Sequence, residues 1–332
     1  MFRVSVILPV YNVGLYIENT IQSILQQTFK DFELIVLDDC STDDTVKRVL
    51  AFTDSRVKVI VNTHNMGRAG TDNIALEYVS GEYIAKMDGD DICHPERLAQ
   101  QVAYLDKHPE VNVVGSFMQN FGSSNYLNRY PAHPEDAQVL TLFTLPTGNP
   151  SAMLRASLFF EHKMRYDASL RQTEDYEFCA RYIRQLRIAT IQAPLIKYRV
   201  PPHIQKKAVL NERANVSDVV RENLLRRWGI PFTARELQIY NKIAMLQPLQ
   251  DIQLSEVEAW LYKMVSYNEK FPLFNQNALQ RGLGVRWFEV CYGQPLEGFR
   301  SMKIYNQSEF SSYASISKRQ QLKFLLKSLR SF

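Results

Sequence analysis

Gly81-Glu82-Tyr83-Ile84-Ala85-Lys86-Met87-Asp88-Gly89-Asp90-Asp91 is the stretch on which the reading of this chain turns. A mostly apolar run, Tyr83 to Met87, breaks abruptly into a cluster of carboxylates, Asp88, Asp90 and Asp91. A run of that length between turn signals reads as a buried strand. Carboxylates so close together repel one another unless a cation compensates them. Oxygen-only ligands suit Mg2+ or Mn2+, which keep several waters and bridge to substrate phosphates. The competing reading is a solvated acidic turn whose charge favours the N-terminus of the helix expected at Pro95.

Outward from that stretch the same unit repeats. Val4 to Leu8 reads as a strand, followed by Leu15, Ile17, Ile21, Ile24 and Leu25 at helical spacing. Glu33 to Leu37 reads as a second strand ending at Asp38-Asp39-Cys40-Ser41, with Ser41 and Asp44 forming a capping box for the next helix. Val57 to Val61 and the helix Ala69 to Val79 complete the pattern before Tyr83, and a helix with Leu98, Val102 and Leu105 on one face follows the acidic cluster. Alternation of this kind predicts an α/β fold with a doubly wound, mostly parallel sheet covered on both faces. Ligands in such sheets bind beyond the carboxyl ends of the strands. Asn12, Asp38 with Asp39, and Asp88 with Asp90 all fall there.

Past residue 111 the pattern loosens. Val111 to Met118 reads as a strand, Glu174 to Leu186 as a helix and Ile188 to Val200 as an extended stretch. A composition shift after Pro201-Pro202 places a boundary near 205, giving a nucleotide-binding and acceptor-binding part (1–110 and 111–205) and a mainly helical part (206–332). Residues 1–205 carry 20 basic and 24 acidic side chains and residues 206–332 carry 19 and 11, so net charges of −4 and +8 stand against +4 for the whole.

With 332 residues, 45% hydrophobic and 22% charged, 13 Gly and 14 Pro, the chain is long enough for about two globular domains, and disorder and collagen-like classes are excluded. No apolar run approaches the roughly 18 residues of a membrane span, and the start reads as a strand without a signal-peptide layout, which predicts a cytosolic chain. The four cysteines show no CxxC pairing, which argues against both a zinc site and a disulfide framework.

The blocks Val6-Ile7-Leu8-Pro9-Val10-Tyr11-Asn12, Ser23 to Thr28, Val36 to Asp43, Asn65 to Arg68, Gly81 to Asp91, Pro95 to Leu98 and Glu174-Asp175-Tyr176 resemble the family-2 glycosyltransferases, inverting enzymes of the GT-A fold, over roughly residues 1 to 200. The resemblance implies a Rossmann-like, nucleotide-binding mixed sheet with a C-terminal helical extension. It implies a metal-dependent transfer of sugar from a nucleotide diphosphate sugar, UDP-linked by resemblance alone, to an acceptor hydroxyl in surface polysaccharide or glycolipid synthesis. Pro9, Tyr11 and Asn12 would line the nucleotide pocket, Asp38 and Asp39 would contact the base, and Arg68 would lie near the nucleotide. Asp88 would sit near ribose, Asp90 would ligate the metal, Asp175 would be the base, and Glu174 would meet the acceptor or orient that base. Two departures stand out. Cys40 occupies a position often held by Gly, which requires φ to stay below zero, and Pro201-Pro202 intervenes before His203, which is left out of the core site.

Two other classes compete. A sugar nucleotidyltransferase would want a Gly-rich phosphate loop after the first strand, where Pro9 to Gly14 offers a single Gly. A non-catalytic nucleotide-sugar binding protein would not need both Asp90 and Asp175. Lys318 to Phe332 carries Lys318, Arg319, Lys323, Lys327 and Arg330 among leucines and phenylalanines without an acid. That segment predicts either a helix on an anionic membrane, at the inner face of the cytoplasmic membrane, or one docked on the protein's own body or on a partner. Nucleic-acid binding is disfavoured because the basic residues form no recognisable module. The acceptor expected is a saccharide or a lipid-linked saccharide.

Overall fold

The computed structural model describes residues 2–201, 207–294, 298–314 and 316–330. His203 lies outside the described residues. The strands are β1 (Val4–Val10), β2 (Phe32–Asp38), β3 (Val57–Val61), β4 (Tyr83–Lys86), β5 (Ile92–Cys93), β6 (Val113–Gly122), β7 (Leu127–Asn128), β8 (Met153–Arg155) and β9 (Ile188–Val200). The helices are α1 (Ile17–Leu25), α2 (Thr45–Leu50), α3 (Gly67–Ala75), α4 (Arg97–Lys107), α5 (Pro134–Leu140), α6 (Ser157–Phe160), α7 (Glu174–Arg181), α8 (Lys207–Trp228), α9 (Ala234–Ala244), α10 (Leu254–Lys270), α11 (Gln276–Gly293), α12 (Gly298–Gln307), α13 (Phe310–Tyr313) and α14 (Lys318–Arg330).

The strands form one sheet in the order β3-β2-β1-β4-β8-β6-β9-β5, with β7 beside β6. The first four are parallel neighbours, while β8 runs antiparallel to both β4 and β6. The register sets Val10 opposite Asp38, and Asp38 opposite Val61. Consequently the turns that follow β1, β2 and β4 leave from one edge of the sheet. Every residue of β1 and β2 is buried, as expected of strands covered on both faces.

Two compact units divide the chain: Met1–Ala137 with Leu145–Ser217, and Gln138–Thr144 with Asp218–Phe332. The first holds the sheet. The second is helical around Trp228, Tyr240, Trp260, Trp287 and Phe310, all buried. Within it, α9 is started by a capping box between Thr233 and Glu236.

Several local expectations are corrected. Ser41 does not cap α2: its hydroxyl accepts from the Asn12 amide, and Asp43 accepts from the Thr45 amide and hydroxyl instead. Cys40 has φ +65°, so the turn takes a left-handed residue without glycine. Pro95 precedes α4 rather than lying in its first turn, and α7 ends at Arg181, short of Leu186. The strand expected at Val111 to Met118 runs from Val113 to Gly122.

Candidate active site

Three loops leave the common sheet edge, and each is held by side chains from its neighbours. At the end of β1, Asn12 adopts φ 52°, a conformation that asparagine tolerates. Its Oδ1 accepts from the Thr42 amide at 2.8 Å and its own amide donates to Ser41 at 2.9 Å, tying the first loop to the second. Tyr11 beside it is 49% exposed, whereas Pro9 is buried within β1.

At the end of β2 the two aspartates do different things. Asp39 accepts from the Met66 and Gly67 amides at 2.7 and 2.9 Å and from Asn62 at 3.0 Å. It therefore holds the head of α3, a use the sequence reading missed because these partners lie more than twenty residues away. Asp38 accepts from the Ser41 amide through Oδ2, while its buried Oδ1 has no hydrogen-bond partner among the described residues. Of the pair, Asp38 keeps an acceptor available for a ligand.

The acidic turn after β4 is clamped through its backbone. The Thr20 hydroxyl of α1 reaches the carbonyls of Gly89 and Asp91 at 3.0 and 2.9 Å. Arg199, at the end of β9, donates through Nε to the Asp90 carbonyl at 2.9 Å and through its amide to Asp91 Oδ1 at 2.8 Å. The Arg199 guanidinium lies over the rings of Tyr16 and Phe121 at 4.2 and 4.4 Å, which fixes it in place. A Cβ on Gly89 would stand 2.9 Å from Val10 Cγ1 and 3.0 Å from Val13 Cγ2, so the turn packs directly on the end of β1.

With its backbone held on both sides, the turn presents three carboxylates in unlike states. Asp88 pairs with Arg68 of α3 at 2.6 Å. Asp91 is fully buried, and burial, then Asp88, pushes its carboxyl above the usual range. Asp90 is half-buried and makes no hydrogen bond or ion pair to another residue through its carboxylate among the described residues; burial and the Asp88 charge raise its pKa. Such a carboxylate gains from a cation. No three His, Cys, Asp or Glu side chains among the described residues converge to hold a metal by themselves. The donor set fits a Mg2+- or Mn2+-like ion that takes one or two carboxylates and completes its shell with water and phosphate.

Arg68 is the hub. Besides Asp88 it reaches Asp72 at 3.3 Å, and Asp72 pairs in turn with Lys86 of β4 at 2.5 Å, both of those side chains being wholly buried. Lys86 also lies 4.8 Å from the centre of the Tyr166 ring. Burial opposes the charge on Arg68, but Asp88, Asp72 and then Glu174 more than compensate and raise its pKa. The chain Lys86, Asp72, Arg68, Asp88 thus alternates in sign from the protein interior to the sheet edge. The alternation rule for strands gives Lys86 no role, yet a lysine inside a buried strand demands an acid nearby.

The head of α7 meets the same hub. Thr173 before it takes φ 67°, and Glu174 and Asp175 open the helix. A helix N-terminus favours carboxylates, yet burial wins for both. Burial, then Asp175, raises the Glu174 pKa; burial raises that of Asp175, against the Tyr176 amide and Arg68, while Asp88 adds to the rise. Asp175 lines a cavity of about 30 Å³ walled by Val113, Leu154, Phe178 and Ile188, which accounts for the poor solvation. Its Oδ1 accepts from the Tyr176 amide at 2.7 Å. The Arg68 charge therefore acts on Asp88, which it touches, and on Glu174 and Asp175, so strand end and helix head lie within electrostatic reach of one another although 84 residues separate Asp90 from Glu174.

Residues 5–168 match the family described as "Glycosyl transferase family 2". An uncharacterized glycosyltransferase of Haemophilus influenzae is 30% identical over 289 residues, 81% of this chain and 88% of that protein. The chain belongs to glycosyl transferase family 2. It is accordingly a glycosyltransferase. A stretch of 116 residues, 35% of this chain and 46% of the relative, is 43% identical to the UDP-Glc:alpha-D-GlcNAc-diphosphoundecaprenol beta-1,3-glucosyltransferase WfgD of Escherichia coli. The Staphylococcus aureus TarS 1–349 structure in complex with UDP-GlcNAc superposes with a TM-score of 0.58 at 19% identity, covering 92% of this chain and 89% of that one. The fold is GT-A, as the sequence resemblance implied, with a helical C-terminal region.

Proposed function

We propose that this glycosyltransferase is a metal-dependent, inverting enzyme that moves a sugar from a UDP-sugar to a hydroxyl of a lipid-linked saccharide, at the inner face of the cytoplasmic membrane, in surface polysaccharide synthesis. The observation that supports the reading is the presence of two unlike carboxylates in the field of Arg68: Asp175, half-buried at the head of α7 with its pKa raised by burial, and Asp90, on a clamped turn without a partner residue for its carboxylate among the described residues. Inversion needs one group to take the acceptor proton and another to hold the departing diphosphate. Asp175 takes the proton. Its raised pKa makes it a better base than a solvated aspartate, and a positioned base contributes roughly 10² to 10⁴-fold. Glu174 orients the acceptor beside it.

Asp90, with Asp88 adjacent, would hold the divalent cation, which when bound supplies charge neutralisation for the leaving diphosphate. Thr20 and Arg199 keep that turn from moving as charge develops. Pro9, Tyr11 and Asn12 form the wall of the nucleotide site, and the unpaired Asp38 Oδ1 accepts from the base. Asp39 contributes indirectly, by fixing the loop that delivers Arg68. The UDP and lipid-linked assignments draw on the names of TarS and WfgD.

The test is a screen of UDP- and GDP-sugars against an undecaprenyl-diphosphate-linked saccharide, with Mn2+ or with chelator, and the anomeric configuration of the product read by NMR. Inverted product formed only with metal is expected. Retained configuration, or full turnover in chelator, refutes the mechanism.

A further inference from the structure

Helix α14 has two working faces. Phe324 and Ser328 are buried, and the Phe324 ring meets Phe288 and Tyr292 at 5.8 Å and Tyr305 at 6.0 Å. Lys327 donates to the Tyr292 carbonyl at 2.6 Å. One face is therefore docked on α11 and α12. On the far side Leu322, Leu326 and Leu329 form a single stripe at i, i+4 and i+7, and they are 55%, 48% and 52% exposed. Lys318 and Arg319 open the helix and Lys323 follows Leu322, all three exposed, and the helix contains no acid.

A leucine stripe left in water after the helix has already been docked is not explained by the packing of this unit. At about 100° per residue, Lys318 falls on one flank of the stripe and Arg319 and Lys323 on the other. We infer that this face of α14 lies on an anionic lipid surface, the leucines entering the headgroup boundary and the flanking bases meeting lipid phosphates. A second copy of the chain is a poorer occupant, because a two-fold pairing of this stripe would bring like-charged flanks together. The inference gives the membrane-side location proposed above a surface, and it stands on the helix rather than on the sugar chemistry.

The test floats the full chain with vesicles of phosphatidylglycerol mixed with phosphatidylcholine, and with phosphatidylcholine alone. Two variants accompany it, Leu322→Gln/Leu326→Gln/Leu329→Gln and Lys318→Gln/Arg319→Gln/Lys323→Gln. Every altered residue is exposed, so circular dichroism and melting should match the wild type. The wild type is expected to float with the anionic vesicles and not the neutral ones, and each variant should lose about tenfold or more in bound fraction. Equal flotation of wild type and variants, or no flotation of the wild type, overturns the inference. So does a concentration-dependent mass in light scattering that the leucine variant abolishes while lipid binding persists, since the occupant is then another copy. The readout needs no sugar transfer, so its failure leaves the proposed reaction standing.

Discussion

Replacing Asp72 by Asn cuts the chain of alternating charge at its buried centre. Asp72 is wholly buried between Lys86 at 2.5 Å and Arg68 at 3.3 Å, and Arg68 goes on to Asp88 at 2.6 Å. Without the carboxylate, Lys86 loses its ion-pair partner and is left with the Tyr166 face and the Asp88 charge among the described residues, and breaking a buried pair by removing one partner costs about 3–5 kcal/mol. At the roughly 2–4 °C per kcal/mol typical of domains of 150–250 residues, the melting temperature should fall by about 6–20 °C. Lys86→Met alone should cost a similar amount, because it strands Asp72 beside Arg68 only. The double variant Asp72→Leu/Lys86→Met should recover much of the loss, since both buried charges are gone. The assay is a thermal melt of the four proteins, with nucleotide titration alongside. Arg68, freed on one side, should also bind nucleotide less well in Asp72→Asn. A shift under about 2 °C in the single variants, or a double variant as unstable as the sum of the singles, would refute the network as the support of the site.

The remaining predictions concern the same unit. Glu174 has its folded pKa raised by burial and by Asp175, so the folded state binds more protons than the unfolded one, and stability falls as pH rises above the ordinary glutamate value of about 4.3. Glu174→Gln should therefore melt higher than wild type at neutral pH and match it below about pH 4; a lower melt at neutral pH contradicts the burial argument. Gly81→Ala should destabilise by about 1–3 kcal/mol through overpacking, because its Cβ would stand 2.5 Å from the Ser5 amide nitrogen, and an unchanged denaturation midpoint would show that strand β4 can shift. Asp90→Ala should abolish both transfer and metal-induced thermal stabilisation in the presence of nucleotide; retained stabilisation by Mn2+ removes Asp90 as a ligand.

How much could be read beforehand followed from how local each signal is. Parallel strands β1 to β4 announce themselves as apolar runs that end in polar turns, and their boundaries fell within one or two residues. Short β5, β7 and β8 have too few residues to show a period; β7 pairs with the β6 that precedes it, while the pairing of β5 with β9 and of β8 with β4 is set by tertiary contact across many residues. Helix α7 ended early because its apolar spacing continues through Ile183 while the backbone turns at Tyr182. Within the site, the strand-end acids were legible, but their division of labour was not. Asp39 serves the α3 head, Asp88 serves Arg68, and among the described residues Asp38 keeps one oxygen and Asp90 its whole carboxylate without a partner residue, a distinction that depends on partners twenty or more residues away. Lys86 and Asp72 are separated by a helix and a turn, so no window of sequence joins them.

The most direct measurement compares Asp175→Asn with wild type in calorimetric titration of the nucleotide sugar and in single-turnover transfer to a saturating acceptor. Nucleotide affinity within about twofold of wild type, with transfer slowed by the 10² to 10⁴ that a positioned base supplies, is the predicted pair of results. Transfer at the wild-type rate, or an equal collapse of binding and turnover, would mean that the carboxylate at the head of α7 does not take the acceptor proton.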